Sequence, residues 1–407
     1  GVDDDSTADG AQPYRIVLGK AQSNDGNYSP LDPPDLNASN TDNDSAGITL
    51  RNVANLTTRE TGATATFQIV LNSKPTADGV IGLSSSNTKE GTVSPASLTF
   101  TPANWNAAQT VTAMGVNDAV ADGSQVYRIV TAKATGNDAK YAAIDPADVN
   151  ITNIDDDSPG VTVTSPAGGL VTRESGATAT FSIQLNSQPT ADVTIAVSSS
   201  NTKEGTVSPA SLVFTPMNWN SPHVVTATGV DDKVADGPQP YSVVIDASTS
   251  NDPLYKGLDA ADVLASNVDN DSAGITVSAI TGDTKETGTT ASFTIVLNSE
   301  PKADVTIAVS SKNTKEGTVS PGSITFTALN YNAPQKITVT GVDDKVADGP
   351  QPYTIDIAAA TSKDAGYQGI DAPDVALNNI DDDSAGITVT VVKNKSSEAG
   401  GTASFTI

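Results

Sequence analysis

Short stretches in which apolar and polar residues alternate recur along the whole chain, separated by clusters of Gly, Pro, Asn, Asp and Ser. Over residues 178–185 the alternation puts Ala179, Phe181, Ile183 and Leu185 on one face and Thr178, Thr180, Ser182 and Gln184 on the other. A period of two is that of a half-buried strand. Between residues 159 and 272 the pattern predicts strands over 160–164, 177–185, 193–198, 211–214, 224–229, 241–246 and 262–267. The stretch 186–192, with Pro189 at its centre, reads as a turn, because proline fixes φ while Asn and Asp bond to their own backbone. No stretch of useful length carries a helical period.

The same pattern returns with nearly the same residues. DNDSAGITL at Asp42 reappears as DDDSPGVTV at Asp155, DNDSAGITV at Asp269 and DDDSAGITV at Asp381. The glycines within it, Gly47, Gly160, Gly274 and Gly386, are 113, 114 and 112 residues apart. NTKEGTVSP and GVDDKVADG phrases repeat in step with it, the latter in looser form at Gly1 and Gly115. Fixed self-similarity of this kind marks a tandem array. The period divides the chain into complete repeats at residues 46–158, 159–272 and 273–384, with the C-terminal part of a preceding repeat at 1–45 and the N-terminal part of a following one at 385–407. About seven short strands per repeat predict an all-β chain of tandem immunoglobulin-like Greek-key β-sandwiches.

Composition narrows the chemistry. Aromatic residues make up only 4% of the 407, so β-branched and aliphatic side chains must fill the cores. Asp and Glu number 48 against 22 Lys and Arg, a formal charge of -26, which repels nucleic acid and anionic membrane surfaces and attracts cations. There is no cysteine, hence no disulfide or thiolate metal site. No apolar run approaches the length of about 18 residues that a membrane-spanning helix needs.

The acidic residues are not scattered. In the third complete repeat they stand at Glu286, Glu316, Asp343 with Asp344, Asp348, and Asp381 to Asp383, each at a strand end or in a loop. Successive loops of an antiparallel sandwich alternate between its two ends, so several of these positions can meet at one end, about eight carboxylates whose mutual repulsion calls for a cation. All-oxygen ligands in that number suit Ca2+, and suit Mg2+ less well. Zinc or copper would want His or Cys, and the single histidine, His223, occurs in one repeat only and reads as a surface residue. Asp25, Asp138, Asp252 and Asp364, and likewise Asp32, Asp145, Asp259 and Asp371, also recur and read as turn formers.

Several of these features together resemble the Calx-β repeats, calcium-binding sandwiches of sodium/calcium exchangers and of large bacterial surface proteins. They are a Glu after the first strand, as in RESGATATFSI; a Phe-Thr-Pro stretch leading to a strand that ends in Asp-Asp; an acid four residues later; and a terminal IDDD. The resemblance implies Ca2+ at one end of each sandwich. The implied ligands are Glu60, Glu90, Asp118, Asp122 and Asp155, Asp156, Asp157 in the first complete repeat. In the second they are Glu174, Glu204, Asp231, Asp232, Asp236, Asp269 and Asp271, and in the third Glu286, Glu316, Asp343, Asp344, Asp348, Asp381, Asp382 and Asp383. Glu398 matches the first of these in the partial repeat. Asn117 and Asn270 stand where an acid is expected, so the first two complete repeats are expected to bind more weakly than the third.

The expectation is a calcium-stiffened segment of an extracellular or cell-surface adhesin, stalk or filament of bacterial type, whose partners are its own neighbouring repeats and, beyond them, other copies in a filament or a cell-surface glycan or protein. An alternative is an array of glycan- or protein-binding modules, with Trp105 and Trp219 as stacking platforms. The third repeat has Tyr331 at that place, which favours a packing role. Catalysis is not expected: no GxSxG, HExxH or phosphate-binding loop occurs.

Overall fold

In a computed structural model the described residues are 1–2, 6–142 and 144–407. Asp3 to Asp5, in the first copy of the GVDD phrase, lie outside them. Among the described residues all regular structure is β, with no helix. The second complete repeat shows the plan. Its strands are β1 (Val161–Thr164), β2 (Leu170–Arg173), β3 (Thr178–Leu185), β4 (Val193–Ser199), β5 (Gly205–Ser208), β6 (Ser211–Phe214), β7 (His223–Gly229), β8 (Gln239–Ile245), β9 (Thr249–Ser250) and β10 (Val263–Val268).

One sheet has the order β1-β3-β7-β5, and the facing sheet β2-β10-β8-β4-β6, with β9 also on β4. All pairings are antiparallel except that of β2 with β10, which run parallel from Leu170↔Ala265 to Arg173↔Val268. The chain therefore leaves the first sheet after β1 and joins the second at β2. Alternation along the long strands decides what lies between the sheets: Phe181, Ile183 and Leu185 of β3 and Val193, Ile195 and Val197 of β4 are all at most 3% exposed. Burying each such side chain contributes roughly 1.5–3 kcal/mol relative to leaving it in water. Equivalent cores form around Phe67 and Phe293.

The seven strands expected from alternation are present with ends shifted by a residue or two. Three strands, β2, β5 and β9, were not expected. They have two to four residues each, too few to display a period, and the partners of β2 and β9 are distant in sequence. His223 is also not a free surface residue: it lies half-buried on β7 with its ring stacked on Phe214 at 4.3 Å. Trp105 and Trp219 are half-buried and pack against the cores.

Candidate metal centre

Three strands of each repeat end together at one end of the sandwich, and each delivers acids there. Glu174 follows β2. Its amide continues the parallel pairing by donating to Val268 O at 3.1 Å, and Gly176 (φ +83°) then turns the chain into β3. Asp231 and Asp232 follow β7, whose last residue must be small, since a Cβ on Gly229 would lie 2.2 Å from Arg173 O and 2.5 Å from Asn267 Oδ1. Asp269 to Asp271 follow β10.

Oxygens of Glu174, Asp231 and Asp271 lie within 4.8 Å of one another, as do those of Glu60, Asp155 and Asp157 and those of Glu286, Asp343 and Asp383. The Glu is the inner member each time, 4%, 2% and 3% exposed at Glu60, Glu174 and Glu286. Buried carboxylate oxygens ordinarily have hydrogen-bond partners. Glu60 Oε2, Glu286 Oε2 and Asp271 Oδ2 are buried and have none, nor has Asp236 Oδ1. Burial, reinforced at Glu60 by Asp118, Asp155 and Asp157, pushes Glu60 up to about 7. Burial likewise pushes Glu174 up to about 7, although the Asn270 amide donates to it at 3.0 Å. Asp157, Asp271 and Asp383 are raised too, chiefly by burial and then by neighbouring charges.

The expected ligands thus divide by role. The first acid of each terminal triad accepts backbone amides, and of the three only Asp155 also belongs to a three-acid group. Asp269 accepts amides of Asp236 at 2.8 Å, Gly237 at 2.6 Å and Asp271 at 2.6 Å, which outweigh burial and hold it below the usual range. Asp381 likewise accepts the amides of Gly349 and Asp383 and is lowered, and Asp155 accepts those of Gly123 and Asp157. The same clamp stands in the N-terminal partial repeat, where Asp42 accepts from Gly10 and Asp44. The middle acids, Asp156 and Asp382, are exposed. The second acid of each pair shapes its loop: Asp118, Asp232 and Asp344 each accept the amide two residues on, at 2.7 Å.

Glu90, Glu204 and Glu316 are buried outside these three-acid groups. Glu90 and Glu204 lie against the amides of Asn153 and Asn267 at 3.4 and 3.5 Å. Asp122 and Asp348 likewise lie outside the groups, with Asp122 exposed. Where Asn117 replaces the first member of the pair, its amide turns to Asp118 O at 2.7 Å, and the group in that repeat takes Asp155 instead. Glu398 is exposed.

Asn153, Asn267 and Asn379 were not anticipated. Each is buried, its amide donating to the carbonyl just after β7 or its equivalent (Val116 at 3.1 Å, Val230 at 2.8 Å, Val342 at 2.9 Å) and its oxygen accepting from a buried threonine (Thr58, Thr172, Thr284) at 3.0–3.1 Å. It binds the strand that ends in the acidic triad to the loop that carries the acidic pair. The signal was available: an Asn stands two residues before every triad.

A pocket of convergent carboxylate oxygens that among the described residues includes no His or Cys, and is touched by a basic side chain where Lys233 meets Asp231, is a donor set for a hard divalent cation. The fold and the site together define a tandem array of immunoglobulin-like β-sandwiches whose repeats each carry an acidic, oxygen-lined end. No protein-family model matches the chain, and no curated protein does. Among solved structures it is similar to CBD12 from CALX1.2 (12% identity over 53% of this chain and 97% of that one, TM-score 0.26). It is also similar to the calcium binding domain CBD12 of CALX1.1 (12% identity, 53% and 96%, TM-score 0.28) and to domains 4–9 of the surface layer protein SbsC (14%, 85% and 48%, TM-score 0.23). At these identities the likeness is one of architecture and carries no functional inference.

Proposed function

We propose that the chain is a structural segment of a long extracellular or cell-surface protein, and that each acidic pocket holds Ca2+, which neutralises the sandwich end and fixes it against the next repeat. The observation that carries this reading is a buried glutamate with an orphaned oxygen facing acids of the terminal triad, as at Glu60 with Asp155 and Asp157, or of the triad and the acidic pair together, as at Glu286 with Asp343 and Asp383. A cation supplies the partner those oxygens lack. The residues that would hold it are Glu60, Asp155 and Asp157; Glu174, Asp231 and Asp271; and Glu286, Asp343 and Asp383, with the remaining oxygen ligands coming from exposed neighbours and water. Affinities of extracellular modules are about 10⁻⁴ to 10⁻³ M, so millimolar calcium outside a cell would fill such sites.

A stalk, adhesin shaft or filament is the role that follows, rather than catalysis, because the same pocket is built three times over. Recognition of a glycan by Trp105 and Trp219 is the weaker reading, since both rings lean on the core. Calorimetric titration of the chain with Ca2+ tests the proposal. Heat from several sites, weakened at one site by Glu174→Gln, is expected; no heat at millimolar calcium would reject it.

A further inference from the structure

The acidic end of each repeat also carries the joint to the next. The amide of Lys74 donates to Ser6 O, that of Gln188 to Ala119 O and that of Glu300 to Lys233 O, each at 2.6 Å. Ser6, Ala119 and Lys233 are equivalent positions of the loop that bears the acidic pair, and the donors are equivalent positions of the turn between β3 and β4 of the following repeat. Backbone geometry is therefore the same at the three joints, and what differs is the charge set around it.

At the joint between the first and second complete repeats, the facing positions are Ala119, Gln188, Thr190 and Leu254, none of them basic. A cavity of about 120 Å³ remains there, lined by Val120 and Asp122 from one side and Gln188, Thr190 and Leu254 from the other. At the next joint, Lys302 replaces Thr190 and reaches across to Asp236 Oδ2 at 3.7 Å, while Lys233 replaces Ala119 and holds Asp231 Oδ2 at 2.6 Å. At the N-terminal joint, Lys140 replaces Leu254 and donates to Ala8 O of the preceding unit.

We propose that the joint between the first and second complete repeats is the cation-dependent one of this segment, whereas the two flanking joints are held in part by lysines that stand in for the ion. This rests on the calcium reading of the acidic pockets. An exposed ion pair is weak alone. Lys302, however, faces a loop of net negative charge, where an ammonium group offsets the same repulsion that a bound divalent ion removes. At the joint without lysines, only the ion can do so.

The chain has no cysteine, so spin labels can be placed at will. Ser97, Ser211 and Ser323 are equivalent exposed positions on successive repeats. Labels at Ser97→Cys with Ser211→Cys report the first joint, and at Ser211→Cys with Ser323→Cys the second, read by pulsed dipolar spectroscopy on the full chain in EDTA and in calcium. In EDTA the first pair is expected to give a broad distance distribution and the second a narrow one, and calcium should narrow the first. Lys302→Thr together with Lys233→Ala should broaden the second pair in EDTA, and Thr190→Lys should narrow the first. Equal widths in EDTA, or lysine replacements without effect, overturn the proposal even where calorimetry shows calcium bound. Absence of calcium binding overturns instead the reading of the pocket, and the cation dependence with it.

Discussion

The second sandwich buries a carboxylate at both ends, and the two have opposite fates. Glu174 at one end and Asp252 at the other are 2% and 3% exposed. Burial opposes ionisation of Asp252, yet the amides of Thr190 at 2.7 Å and Leu254 at 2.9 Å donate to it and hold it below the usual carboxylate range. Glu174 receives one amide and faces other acids, so burial prevails and it is pushed up to about 7. Equal removal from water thus yields a structural fastener where donors converge and an acid that resists ionisation where acceptors converge. Asp252 ties the turn at Thr190 to the loop holding Tyr255, whose hydroxyl meets the Ser187 amide at 3.0 Å. Glu174, by contrast, accepts a single backbone amide, that of Asn270.

The contrast is sharpest under mutation. Asp252→Ala should cost the second repeat about 3 kcal/mol, because the Thr190 and Leu254 amides lose their charged acceptor. Calorimetric unfolding should show one transition moved down, with calcium affinity unchanged. A comparable loss from Glu174→Ala in calcium-free buffer would erase the distinction between the ends.

Titration offers the next test. Glu60 and Glu174 ionise near 4.5 when unfolded and at about 7 when folded, so between these values the folded chain keeps protons the unfolded chain has released. Without calcium, stability should therefore fall as pH rises from about 4.5 to about 7, by on the order of 3 kcal/mol per site. Calcium competes with those protons, so its affinity should rise over the same window. Asp252 and Asp269 act oppositely, their contribution being present above the ordinary Asp range and lost only as pH falls below it. Melting temperatures at pH 3, pH 5 and pH 8, with and without EDTA, read both effects.

Smaller effects should follow from single changes at the pocket. Glu174→Gln removes a charge but keeps an acceptor. It should stabilise the calcium-free repeat at pH 8 by about 1 kcal/mol and weaken calcium binding there about tenfold, as titration calorimetry would show. Lys233→Ala frees Asp231 from its ammonium partner and should strengthen binding in the second repeat by roughly two- to threefold, the scale of one exposed ion pair.

Much of the architecture was legible because the chain states it three times. Alternation in TATFSIQL and its counterparts marks the long strands, and the steps between Gly47, Gly160, Gly274 and Gly386 mark the period. The short strands were not legible: Leu170–Arg173 acquires its strand character from a parallel neighbour about a hundred residues away. The recurrence of acids at strand ends was visible, but not the division of labour among them. Asp269 and Asp271 are near neighbours with the same side chain, one clamped by three amides and the other left with a bare oxygen.

By itself, then, the sequence determined the periodicity, the class of element and the placing of carboxylates at strand ends, since these depend on residue type and spacing along one chain. Only the tertiary structure decided which carboxylates face one another and which meet backbone donors, and which joints bring a lysine across. Those outcomes turn on distances of a few ångströms between strands that the sequence holds far apart. At that range a single amide or ammonium group reverses the balance between charge and burial.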